Sequence, residues 1–203
     1  MSDPAYADQI AYFNTIPWVS KTLSEPGLIS MPPITRHFDP SVRASEFWGV
    51  TLHSKATIPY FIGCFHPPPP SSTPSDSAAL EERYIAHVRF FLKLNHGLST
   101  LERERVHGGV VATVFDECAG AVGFVNKMYG RMEMLPHVTQ TLTLEYRRAV
   151  PVGAVVGVVA RLVAVEGRRF VVETEMVDEE GAVLARAEAG YVVLEKKGRK
   201  GRL

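Results

Sequence analysis

The residues of this chain best suited to chemistry lie in one stretch, His107-Gly108-Gly109-Val110-Val111-Ala112-Thr113-Val114-Phe115-Asp116-Glu117-Cys118-Ala119-Gly120. Two glycines open it, and backbone without a Cβ lets a ligand come close. If a helix begins here, its first N–H groups have no intrahelical partner and sit at the positive end of the helix dipole. A carbonyl oxygen acquiring negative charge could be held by such donors, Gly108 first and Gly109 as its neighbour. The same pair would also serve an ordinary tight strand-to-helix turn. Further along, Asp116 is a carboxylate inside a run of small and apolar residues, a costly placement unless it is paired or kept for reaction. It could deprotonate a water or attack a carbonyl carbon directly, and residue type does not separate the two. A paired structural carboxylate is the plain alternative. Glu117 reads as a partly exposed neighbour or an auxiliary to that acid. His107 reads as a histidine that orients the turn rather than as an acid–base group.

Spacing adds a constraint. Asp116 lies seven positions beyond Gly109, which is about 10 Å along a helix rising ~1.5 Å per residue. A reacting carbon needs to be about 3 Å from both the attacking group and the oxyanion donors. One helix cannot serve both. Two copies, antiparallel about a two-fold axis, would bring Asp116 of one beside Gly108 of the other. The spacing therefore predicts a homodimer with two sites at its interface, and a dimer of dimers is the next larger assembly.

The elements that must position these residues follow from periodicity. Residues 108–128 form a helix that is apolar on nearly every side and so must be buried. Gly120 and Gly123 permit a neighbour to approach closely, at a cost in helix propensity, and Tyr129-Gly130-Arg131 gives a stop signal. Four strand-like runs follow, over 138–149, 154–165, 168–178 and 182–194, with hairpin-like turns at Glu166-Gly167 and Glu179-Glu180-Gly181. Upstream, residues 56–65 and 83–94 also read as strands, and 95–106 as a polar loop leading into the motif. One long apolar helix followed by an antiparallel meander is an α+β plan in which a curved sheet wraps the helix. Residues 5–13 carry a short helical pattern, followed by Ile16-Pro17-Trp18-Val19. Between 31 and 55 the pattern is mixed, with Phe47-Trp48-Gly49 its packed piece. The chain divides into an N-terminal extension or arm (1–55), a main domain (56–195) interrupted by a Pro/Ser-rich loop (66–80), and a basic tail (196–203). Four consecutive prolines at 67–70 make that loop extended and without a core face.

With the motif and the elements in view, the chain resembles the hotdog-fold acyl-CoA thioesterases of the His-Gly-Gly type, both the PaaI-like enzymes and the eukaryotic thioesterase-superfamily members. His107-Gly108-Gly109, six residues and Asp116 match the spacing of that motif. The likeness continues through Thr139-Gln140-Thr141-Leu142-Thr143-Leu144-Glu145-Tyr146-Arg147-Arg148-Ala149-Val150-Pro151 and resumes at Val165-Glu166-Gly167-Arg168-Arg169-Phe170, spanning residues 82–195 in all. It implies a hotdog fold and hydrolysis of acyl-CoA to a free fatty or aryl acid and coenzyme A. It also implies the Gly108 N–H as oxyanion donor and a dimeric site. Thr139 falls where the similar enzymes hold a Ser or Thr that helps position the attacking water, an ordinary strand threonine being the alternative. Arg147, Arg148, Arg168 and Arg169 would flank the helix, where guanidinium groups suit the phosphates of coenzyme A. Adjacent strand residues point to opposite faces, so one of each pair could reach a given ligand. No cofactor is expected beyond the coenzyme A of the substrate.

Bulk properties exclude other classes. Over 203 residues, 22 Lys and Arg balance 22 Asp and Glu, so no global field draws nucleic acid or an anionic membrane. Lys196, Lys197, Arg199, Lys200 and Arg202 read as a solubilising tail. Cys64 and Cys118 make no disulfide framework, and neither they nor His137 and the other histidines have metal-ligand spacing. No unbroken run approaches the roughly 18 apolar residues of a membrane span. Asp3 and Asp8 without an early Arg are unlike a targeting segment. A cytoplasmic compartment and a place in lipid metabolism are expected, with the mitochondrion as second compartment. Two other readings compete. One is a non-catalytic hotdog module that binds acyl-CoA or a protein partner through the arm and the proline loop. The other is a hydratase or dehydratase acting on acyl thioesters.

Overall fold

The structure is a computed structural model that describes residues 4–41, 45–67 and 78–195. In chain order, α1 (Pro4–Asn14) and α2 (Pro17–Leu23) precede β1 (Ile29–Met31), β2 (Phe61–Phe65), the short α3 (Leu80–Arg83), β3 (His87–Lys93) and α4 (Gly108–Met128). The chain then completes a meander of β4 (His137–Tyr146), β5 (Val155–Glu166), β6 (Arg169–Val177) and β7 (Val183–Val193). All seven strands join one antiparallel sheet in the order β1-β2-β3-β5-β6-β7-β4. The sheet curves around α4. This is the hotdog fold.

Alternation decides which strand residues meet the helix. Val156, Val158, Ala160 and Leu162 of β5, and Phe170, Val172 and Met176 of β6, are buried in one cluster with Val114, Phe115, Cys118 and Val122 of α4. Close approach at one point depends on Gly123, because a Cβ there would fall 2.5 Å from the Phe170 ring. Asn126, fully buried on α4, clips the chain ahead of β3. Its Oδ1 accepts from the Ile85 N–H at 2.8 Å, and its Nδ2 donates to the Ile85 carbonyl at 3.0 Å. By length and composition α4 could cross a membrane, although Asp116, Glu117 and Asn126 interrupt its apolar run. The sheet wrapped around α4 identifies it as the core helix.

The outer face of the sheet has its own core. Phe13 of α1 and Val19 of α2 are fully buried against Ile62, Cys64 and Phe91, and Trp18 meets Phe91 edge-on at 5.2 Å. Gln9 Oε1 accepts the Phe61 N–H at 2.7 Å, tying α1 to β2. Within the expected extension 1–55, β1 joins the sheet, with Ile29 opposite Phe65 and Met31 opposite Gly63. Two strand starts also differ from the expectation. β2 begins at Phe61 because residues 56–60 turn into it, and β3 begins at His87 because α3 takes up Leu80–Arg83. Phe47–Thr51 forms a π-type turn. The expected loose character of 68–77 and of the tail 196–203 lies outside the described residues.

Candidate active site

Asp116 sits near the middle of α4, on the side facing β4 and β7. Thr139 Oγ1 donates to Asp116 Oδ1 at 2.6 Å. The Tyr191 hydroxyl donates to the Asp116 carbonyl at 2.8 Å and lies 3.4 Å from Oδ1. Thr139 and Tyr191 are cross-strand partners, and the register shifts directly after them, between Thr139 and Thr141. Such a bulge redirects side chains at the place where it falls. Tyr191 is stacked on Phe170 with centroids 4.9 Å apart. Burial, then the Asp116 charge, pushes its phenol well above the ordinary value, so it stays a donor.

Glu117, one step around the helix, faces a different wall. The Thr35 hydroxyl donates to its Oε1. Burial raises the Glu117 carboxyl to about 7; Asp116 adds to the rise, while the Thr35 hydrogen bond and the Arg36 charge oppose it. Arg36 is itself buried. Its Nη1 donates to the Trp48 carbonyl at 3.2 Å and its Nη2 to the Ile58 carbonyl at 2.8 Å.

Asp116, Glu117 and Thr139 line one cavity of about 430 Å³, with apolar walls from Ile34, Val88, Phe90 and Phe124 among others. That size is within the range of small-molecule sites, roughly 300–1,000 Å³. His137 also lines it. Its Nδ1 is in contact with the buried Lys127 amine. Burial and then Lys127 lower His137 to about 4, so its ring is neutral.

The start of α4 is built separately. His107 is the N-cap, extended at φ −62 and ψ 135, and its Nδ1 accepts the Gly109 N–H at 3.0 Å. That bond puts the imidazole proton on Nε2. It also occupies one of the two glycine donors. Among the described residues no hydrogen bond reaches the Gly108 N–H, and the Gly108 carbonyl accepts from the Tyr146 hydroxyl at 2.9 Å. Of the two glycines, Gly108 keeps the free donor.

Residues 104–185 match the family model described as Thioesterase superfamily. The match takes in α4 and most of the meander that follows it. A hypothetical thioesterase protein from Streptococcus pneumoniae with coenzyme A is 20% identical, with TM-score 0.47 over 56% of this chain and 82% of its own. A Bacillus halodurans protein with CoA is 25% identical, with TM-score 0.45 over 52% and 66%. The E. coli PaaI protein from the phenylacetic acid degradation operon is 14% identical, with TM-score 0.44 over 54% and 73%. No curated protein matches the chain significantly.

The site residues expected from the sequence fall into separate groups. Asp116, Glu117 and Thr139 share the cavity. His107, Gly108 and Gly109 are at the helix start, and Gly108 is about 12 Å from Asp116 by helical rise. The arginines do not converge in one chain. Arg147 and Arg148 follow β4, their N–H groups donating to the Leu184 carbonyl, and Arg147 pairs with Glu145 at 2.9 Å. Arg168 and Arg169 border another cavity with Tyr84, Phe170 and Glu195, and Arg168 pairs with Glu195 at 2.9 Å. Sequence reasoning passed over Thr35, Tyr191 and His137 as site residues. Tyr191 had a legible signal, being an inward position of an alternating strand; Thr35, 82 positions from its partner, had none.

Proposed function

We propose that the protein is an acyl-CoA thioesterase. Water adds to the thioester carbon, the carbon–sulfur bond breaks, and a carboxylic acid and the free thiol of coenzyme A leave. Asp116 supplies the carboxylate, as base toward that water or as the nucleophile itself. The observation that carries the reading is the Asp116 carboxylate at the wall of a largely apolar cavity, held by the Thr139 hydroxyl. The match of residues 104–185 to the Thioesterase superfamily model supports thioester chemistry. The cavity would take the acyl group, and Thr139 would orient Asp116 and the water beside it.

In this proposal the Gly108 N–H is the oxyanion donor, and it acts on the substrate held by a second subunit. Two features support a homodimer: the separation of about 12 Å along the helix, and an edge strand β4 whose residues are mostly exposed, Val138 at 47% and Tyr146 at 55%. A cytoplasmic enzyme of lipid metabolism fits the reading, with Arg147 and Arg148 or Arg168 and Arg169 taking the phosphates of coenzyme A.

Thiol release from a panel of acyl-CoAs, short, long and aryl, by wild type and Asp116→Asn tests it. The expected result is turnover of at least one member by wild type and a loss of about 10²- to 10⁴-fold in the variant, with unchanged circular dichroism. If wild type releases thiol from no member, Asp116 is a structural carboxylate and the protein is a binding module.

A further inference from the structure

We propose that residues 31–35 of the N-terminal extension form the specificity-determining wall of the acyl pocket, with Ile34 limiting the length of the acyl chain and Thr35 fastening the wall to α4. This rests on the thioesterase reading of the same cavity. Met31, Pro33, Ile34 and Thr35 line that cavity opposite Glu117, Ala121 and Phe124 of α4, yet they lie outside the matched residues 104–185. The wall therefore comes from outside the matched stretch that carries Asp116.

Three attachments make it a preformed wall rather than a loose strap. At its start, Met31 is paired with Gly63 in the sheet. Just beyond its end, Arg36 is buried and bonded to the Trp48 and Ile58 carbonyls. Between them, the Thr35 hydroxyl reaches Glu117, the residue next to Asp116. A wall held this way enforces a boundary on its occupant. Apart from Thr35 the segment offers only apolar side chains, so the part of the ligand it borders is hydrocarbon. Ile34 is 51% exposed while still lining the cavity, which puts it at the rim. Its side chain can be exchanged without emptying the core.

In apolar pockets one methylene more or less changes kcat/KM by roughly 10- to 200-fold. The test uses the saturated acyl-CoA series from butanoyl to palmitoyl, with kcat and KM measured for the full-length protein. Ile34→Trp should lower the long-to-short ratio of kcat/KM by about 10-fold or more, and Ile34→Ala should raise it. Thr35→Val should raise KM for the longer members more than it lowers kcat, and Thr35→Ser should restore wild-type behaviour. A hydroxyl that only stabilises the fold would lower Tm and leave the chain-length profile alone.

Calorimetry with non-hydrolysable thioether analogues of the same series separates this inference from the catalytic reading. Hydrolysis with profiles that superimpose for wild type, Ile34→Trp and Ile34→Ala overturns the wall alone. Graded binding that Ile34→Trp cuts short, without hydrolysis by wild type, keeps the wall and overturns the enzyme. Neither binding nor turnover overturns both.

Discussion

The middle and the beginning of α4 differ in how complete they are. Around Asp116 a single chain supplies everything near the carboxylate: Thr139 and Tyr191 on one side, Glu117 with Thr35 on the other, and an apolar cavity between them. Around Gly108, among the described residues, it supplies a donor with no acceptor. His107 takes the neighbouring N–H, Tyr146 takes the carbonyl of Gly108, and both rings are exposed. One region is packed from elements far apart in sequence, whereas the other is a local turn. One helix thus sets the Asp116 carboxylate and the Gly108 donor about 12 Å apart by rise, too far for both to reach one reacting carbon.

The sharpest way to break this comparison is to delete the Gly108 donor without disturbing the turn. Proline is favoured at the first helical position and lacks an N–H, and His107 is already in the extended conformation required before proline. Gly108→Pro should lower kcat by about 10²- to 10³-fold with little change in Tm. Refolded together with Asp116→Asn, it should regain about a quarter of wild-type activity, since half the dimers are mixed and each holds one intact site of two. Additive inactivity in the mixture would mean that both halves act within one chain.

A smaller effect is expected on the packed side. Thr139→Ala removes a hydrogen bond to a carboxylate, worth about 1.5–3 kcal/mol when shielded; Thr139 is exposed, so a loss of roughly 10-fold in kcat/KM is expected, restored by Thr139→Ser. Equal rates in the alanine variant would reduce Thr139 to a strand residue.

Glu117 makes a prediction about pH. In the folded protein it keeps its proton up to about 7, against 4.5 for an ordinary glutamate. The folded state is the more protonated one across that window, so this group's stabilisation is full below it and is lost as pH rises through it. Urea melts should show Glu117→Gln gaining on wild type between about pH 5 and pH 8, by on the order of 1–3 kcal/mol. His137 is lowered to about 4 from 6.5 and imposes the opposite slope below 6.5, so the variant is compared with wild type at each pH. Parallel curves would return Glu117 to water. Smallest of all, His107→Ala loses the N-cap and should cost about 0.5–2 kcal/mol, read as a lower Tm with a milder rate effect than Gly108→Pro.

What the sequence determined by itself is local. Glycines after an extended histidine, an apolar period out to Met128 and turn residues at Gly167 and Gly181 delimit α4 and the four-stranded meander to within a few residues. Asp116 stood out because a carboxylate breaks that apolar run. These signals depend on neighbours within one or two turns, which is the range over which propensity and hydrophobic period act. Tertiary structure decided the environment of each charge. Glu117 is raised by burial, against which the Thr35 hydroxyl and the Arg36 charge of the extension act, and Tyr191 faces Asp116 because β7 pairs with β4 across a bulge. Ile62, Cys64 and Phe91 on the outer face of β2 and β3 are buried because α1 and α2 fold back on them. A carboxyl's proton affinity follows from what excludes water around it, and here those groups come from positions whose proximity only the completed sheet creates.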